Sequence, residues 1–186
     1  MIIHQPSSSS RRFSFPGLSP DRLAPTLARR LDDGYHYVRH AAVGGTSIDA
    51  VVVGPGGTWA LTSTALRGRF RKRNGHWYAW NRSTESWIPW DAIPVEQARM
   101  AGHRLELLLE RAGLPATVEA CLVVSRSGEV DWERDQRPGI QVQQDLDALA
   151  RRIARDDTLL PAQVDRIVAL LDPRQPVPLL APSTGA

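Results

Sequence analysis

The densest chemistry in this sequence lies in Arg67-Gly68-Arg69-Phe70-Arg71-Lys72-Arg73-Asn74-Gly75-His76, where five cations fall within seven residues. If the run is a strand, alternation sets Arg67, Arg69, Arg71 and Arg73 on one face, where fixed positive charge could follow a phosphate backbone. Trp77, Tyr78, Trp80, Trp87 and Trp90 come directly after it. Aromatic rings beside cations can stack on unpaired bases. The opposing reading is that the cations keep a hairpin solvated while the tryptophans cover a core. A third use of segment 77–90 is as a contact surface for a protein partner.

Other candidate chemistry is thinner. Of His4, His36, His40, His76 and His103, only His36 and His40 stand at a ligand-like spacing. In a strand they would share a face, and two such residues read as ordinary surface histidines rather than a zinc site. Gly54-Pro55-Gly56-Gly57 lacks the Lys-Ser/Thr of a phosphate-binding loop and sits between strand-like runs, not before a helix. The single cysteine, Cys121, lies in the apolar run Ala120-Cys121-Leu122-Val123-Val124 and reads as a small buried hydrophobe. One cysteine excludes an intrachain disulfide and fits a reducing compartment.

Length and composition narrow the class. A chain of 186 residues supports one well-buried core, and 42% hydrophobic with 23% charged residues excludes a mostly disordered chain. The net charge is +3 while the pI is about 9.6, because Lys72 is the only lysine and arginine supplies the rest. An arginine-built surface suits phosphates, and GC-rich codon usage produces the same bias. The N-terminus lacks the pattern of a secretory signal, and no apolar stretch approaches the ~18 residues of a membrane helix. The expectation is a cytoplasmic protein with no membrane contact.

These residues need elements to hold them. Residues 1–18 and 173–186, rich in serine and proline respectively, are expected to be a flexible arm and tail around a domain at 19–172. Ser19-Pro20 opens a helix carrying Leu23, Leu27 and Leu31 toward a stop at Gly34, weakened by Pro25. Tyr35 to His40 alternates as a strand. Ile48 to Val53 and Thr58 to Thr64 form a strand pair about Gly54 to Gly57. Trp77 to Trp80 reads as a strand or aromatic flap. A helical period then runs from Val95 through Ala98, Ala101, Leu105, Leu108 and Ala112 to Gly113. Thr117 to Val124 is a nearly continuous apolar strand. Ile140 to Val142 reads as a short strand, and Leu146, Leu149, Ile153 and Val164, Ile167, Val168, Leu171 mark two closing helices. The order predicts an α/β fold, a single mixed sheet flanked by helices.

Within that order, Ser47-Ile48-Asp49-Ala50-Val51-Val52-Val53-Gly54-Pro55-Gly56-Gly57-Thr58-Trp59-Ala60-Leu61 resembles the signature of the nuclease-related (NERD) domain family, with Ala50 where the family carries histidine. Similar too are the Tyr35 to His40 strand, the Pro94-Val95-Glu96-Gln97-Ala98 helix start and the Val118 to Val124 strand, so the resemblance spans roughly residues 20 to 155.

It implies a restriction-endonuclease-like core and Mg²⁺-dependent hydrolysis of DNA phosphodiesters. The family's Asp and Glu on adjacent strands bind the metal, and a Lys two residues after the Glu projects from the same face. By this resemblance the family's catalytic positions are Asp49, Thr62, Thr64 and Gln97. Asp49 is the metal ligand, Thr62 stands for the Glu, Thr64 stands for the Lys, and Gln97 is retained. Ile93 replaces an Asn, and the acid of the first helix has no clear counterpart, only Asp21, Asp32 and Asp33 nearby.

The resemblance with these departures implies a catalytically degenerate member that needs no cofactor and binds nucleic acid through Arg67, Arg69, Arg71, Lys72 and Arg73. The alternatives are an Mg²⁺-dependent endonuclease with migrated residues, for which Glu96, Glu106 and Lys72 are available, and a protein-interaction scaffold.

Overall fold

Branched residues at 48, 51, 52 and 53 favour extended backbone, and the glycine-rich connection after them reverses the chain. The computed structural model describes residues 1–4, 20–124, 130–132 and 140–172, with the backbone alone for 20–22, 72 and 130–132. Its elements are β1 (Ile2–His4), α1 (Pro20–Ala28), β2 (His36–Val43), β3 (Thr46–Gly54), β4 (Gly57–Thr64), β5 (Gly68–Arg73), β6 (His76–Asn81), β7 (Ser86–Pro89), α2 (Ile93–Arg111), β8 (Val118–Val124), β9 (Val130–Trp132), β10 (Gln141–Gln143), α3 (Leu146–Ile153) and α4 (Pro161–Leu171).

Six strands form a mixed sheet in the order β1-β2-β3-β4-β8-β10, antiparallel from β2 to β4 and parallel elsewhere. β8 is buried between helices on both faces, which is why its sequence is almost unbroken in apolar residues. On one face Leu23 and Leu27 of α1 and Leu149 and Ile153 of α3 pack against Tyr37, Val52, Leu61 and Val123. On the other, Leu105 and Leu109 of α2 and Ile167 and Val168 of α4 pack against Val51, Val53 and Ala60. The mixed sheet and its helical layers match the expected α/β class.

A second sheet, β7-β6-β5-β9, accompanies the first. The arginine run is its strand β5, and the aromatic segment supplies two further strands rather than one. The connection at Gly54 to Gly57 is pinned from outside the hairpin: the Pro55 carbonyl accepts from the N–H groups of Thr158 (2.7 Å) and Leu159 (3.0 Å).

Two details differ from the sequence reading. The first helix ends at Ala28, Pro25 lies inside it, and Leu31 reaches the same core from the following turn. Ile2–His4, at the head of the segment expected to be an arm, pairs parallel with β2 as an edge strand. Residues 5–18 of that arm and the 173–186 tail lie outside the described residues.

Candidate functional site

Asp49 sits where regular alternation fails. His40, on the neighbouring strand, adopts the left-handed conformation (φ 50°), and the β2–β3 ladder passes from Arg39–Ala50 to Ala41–Ile48 without a His40–Asp49 pair. Ile48 and Val51 consequently share one core cluster while Ala50 and Val52 share the opposite one, although an unbroken strand would group 48 with 50. Released from the alternation, the half-buried Asp49 turns toward β4, and its Oδ2 accepts the Ser63 N–H at 2.8 Å. The β3–β4 pairing has its last register pair at Ala50–Leu61, so the carboxylate takes over as acceptor where the ladder stops.

Thr62 and Thr64 are half-buried on β4 and pair in parallel register with Leu122 and Val124. Register partners in a parallel ladder share a face, so both threonines stand on the face where Leu122 and Val124 join Ala92, Val95 and Ala98 in an apolar cluster. Leu66, Trp77, Trp90, Ile140 and Val142 pack against that cluster. Gln97 is on the exposed side of α2 and has no recorded hydrogen bond to Asp49, Thr62 or Thr64. Asp49 is thus brought beside β4 at the Ser63 backbone, while Gln97 points to solvent.

Mg²⁺ takes several oxygen ligands, carboxylates above all. Here one carboxylate, with an oxygen engaged by a backbone N–H, lies beside a strand carrying threonines over apolar neighbours. Among the described residues no three of His, Cys, Asp and Glu converge as metal ligands. Among the described residues this set does not fit a magnesium site. Glu96 pairs with Arg99 at 2.8 Å and Glu106 with His103 at 3.6 Å, both along the surface of α2. Burial pushes the Cys121 thiol up to about 12, which leaves it protonated and unreactive.

The second sheet sorts its residues by face. Phe70 is buried and packs against Trp90 with the rings tilted and their centroids 4.4 Å apart, and Trp77 meets Trp90 edge-on at 6.0 Å. This inner face closes the apolar cluster described above. On the outer face, the Arg71 guanidinium lies 4.2 Å from the Trp87 ring centroid and 5.7 Å from Tyr78, and that of Arg69 lies 5.9 Å from Trp80 and 6.0 Å from Trp87. Trp80 and Trp87 meet at 5.3 Å. Alternation puts exposed Arg73, opposite His76, on the same face. Arg67 precedes the strand and is exposed, and Lys72 occupies a register position of the other parity, opposite Trp77. The tryptophans therefore divide: Trp77 and Trp90 inward, Trp80 and Trp87 outward, with Trp59 in the main core.

The histidines also regroup. His40 is exposed, whereas His36 stacks on His4 (centroids 5.2 Å apart) with His36 Nδ1 3.0 Å from His4 Nε2, and His4 Nδ1 lies 3.4 Å from Asp172 Oδ2. Of the two histidines read as ordinary surface residues, His40 is the left-handed residue within β2 and is exposed, while His36 is half-buried against His4. Sequence spacing carried no sign of the His4–His36 contact, which joins residues 32 apart.

A mixed sheet layered between helices, with a strand pair leading into a parallel third strand, defines an α/β protein. The profile of the nuclease-related domain (NERD) matches residues 21–125, more than half the chain and the stretch from α1 to the end of β8. The chain belongs to that family. No curated protein and no solved structure gives a significant match to it. No helix among the described residues is long and apolar enough to cross a membrane.

Proposed function

We propose that this chain is a nuclease-related domain that has lost hydrolysis and binds nucleic acid through the outer face of its second sheet. The observation that carries the reading is the set of arginines on β5 held over Tyr78, Trp80 and Trp87, while the inner face of the same sheet is occupied by the core. Charge supports it. Residues 67–90 hold six cations and one acid, Glu85, a net +5 in a chain of net +3, so the remainder is net −2. The basic character of the protein is therefore local, as a polyanion-binding surface requires.

The loss of hydrolysis is supported by the fate of the family positions. Thr62 and Thr64 offer neither a carboxylate nor an ammonium, and Asp49 is engaged by the β4 backbone. Removing one preorganised charge-stabilising group commonly costs on the order of 10²–10³ in rate, and here two are replaced.

Retention on heparin and fluorescence anisotropy with a labelled oligonucleotide test the binding. The Arg71→Glu/Arg73→Glu double variant should bind weakly and lower the slope of log affinity against log salt by about 1.4 to 1.8, the share of two phosphate contacts. Unchanged retention would instead point to a protein-binding scaffold. Cleavage of a polynucleotide with Mg²⁺, abolished by Asp49→Ala, would establish the active-nuclease alternative.

A further inference from the structure

Resting on the nucleic-acid reading above, we propose that the occupant of the outer face of the second sheet is an unpaired strand, with bases laid against Trp80, Trp87 and Tyr78 and phosphates held by Arg71 and Arg73. A duplex presents phosphates and groove edges, for which arginines alone suffice; rings on a solvent-facing sheet have nothing to stack on there. Single strands expose the faces of their bases, and aromatic platforms beside cations are the usual means of holding them.

The core does not account for these rings. Packing of the second sheet onto the domain is carried by Phe70, Trp77 and Trp90 on the inner face. Trp80, Trp87 and Tyr78 remain half-buried on the outer one, joined by arginines rather than by further apolar residues.

The rows of the sheet match the repeating unit of such a ligand. The β5–β6–β7 register sets Arg71 with Tyr78 and Pro89 in one row, and extends to Arg69 with Trp80 and Trp87 in the next. Successive rows on one face are two residues apart, roughly 6.6 Å, a repeat that an extended polynucleotide can follow one base and one phosphate at a time.

The arginines are also suited to the task. The Arg71 guanidinium carbon lies over the Trp87 ring, 4.2 Å from its centroid, and its buried Nε has no hydrogen-bond partner among the described residues. Stacking of this kind leaves the terminal N–H groups of an arginine for a phosphate, which a lysine ammonium could not do in the same fixed plane.

Anisotropy titrations of the full chain with a homothymidine strand, the equivalent uridine strand and a duplex of equal length, at matched salt, test the proposal without any variant. Both single strands should bind at least about 10-fold more tightly than the duplex and should quench tryptophan fluorescence. Trp80→Ala and Trp87→Ala should each weaken single-strand binding by roughly 5- to 150-fold, with duplex binding unchanged and with Trp→Phe restoring most of the loss. Equal affinity for both forms, or indifference to the tryptophan variants, overturns the single-strand assignment while leaving the arginine-dependent reading intact. Absence of binding to any polynucleotide overturns both.

Discussion

Two side chains put the residue scale to the test. Asp49 supplies the acceptor for Ser63 N–H where the β3–β4 ladder runs out, so its role in the folded protein can be separated from any role in chemistry. Asp49→Asn keeps a carbonyl oxygen in place and should leave stability within about 1 kcal/mol, whereas Asp49→Ala strands the N–H and should cost about 1–3 kcal/mol in urea unfolding. Equal stability of the two variants would remove this structural role.

The second residue is His36. Burial lowers its pKa from 6.5, the neighbouring His4 and the Met1 ammonium lower it further, and Asp165 opposes them. The contact to His4 at 3.0 Å holds one proton, and a second would set N–H against N–H. Because the folded value lies below the unfolded one, neutral His36 contributes stability that is present above about pH 6.5 and lost as pH falls through the window beneath it. The melting temperature should decline on acidification through that window, and His36→Asn should flatten the decline. A profile identical in the wild type and the variant would contradict this.

At the scale of elements, the β3–β4 hairpin is held by the close approach of its turn to α3. A Cβ on Gly56 would collide with the Ile153 carbonyl, and one on Gly54 with the Tyr35 ring. Backbone cannot move aside as a flexible side chain can, so Gly56→Ala should destabilise the fold by about 1–3 kcal/mol, toward the upper end, as measured by denaturant midpoint at unchanged m-value. The strands themselves were legible in the sequence because their signals are local: branched residues at 48 to 53, a glycine-rich turn and a continuous apolar run at 118 to 124. The helix stop at Ala28 and the break at His40 were not. Leu23, Leu27 and Leu31 suggested one continuous period toward Gly34, and a left-handed histidine leaves no mark in residue type.

At the scale of the whole molecule, the positive charge is gathered on one small sheet and the rest of the chain is mildly acidic, which orients a polyanion toward the outer face. Magnesium should therefore act only as a competing counterion. Adding it in place of a chelator should weaken oligonucleotide binding, leave the oligonucleotide uncut and shift the protein's melting temperature little, whereas a metal-organised site would give tighter binding or cleavage. Calorimetric detection of a stoichiometric Mg²⁺ site would contradict that expectation.

What the sequence determined by itself was the class of fold and the family, with Asp49, Thr62 and Thr64 read as its site positions, because these readings depend on residue type and short-range periodicity alone. It also placed cations and rings next to one another along the chain. Only the tertiary structure decided that Asp49 spends an oxygen on the β4 backbone, that Phe70, Trp77 and Trp90 turn inward, and that Arg69 and Arg71 lie across Trp80, Trp87 and Tyr78. The physical reason is that the face a strand shows to solvent is set by what covers its other face, and that cover comes from α2 and from β8 and β10, the last two far away in the chain.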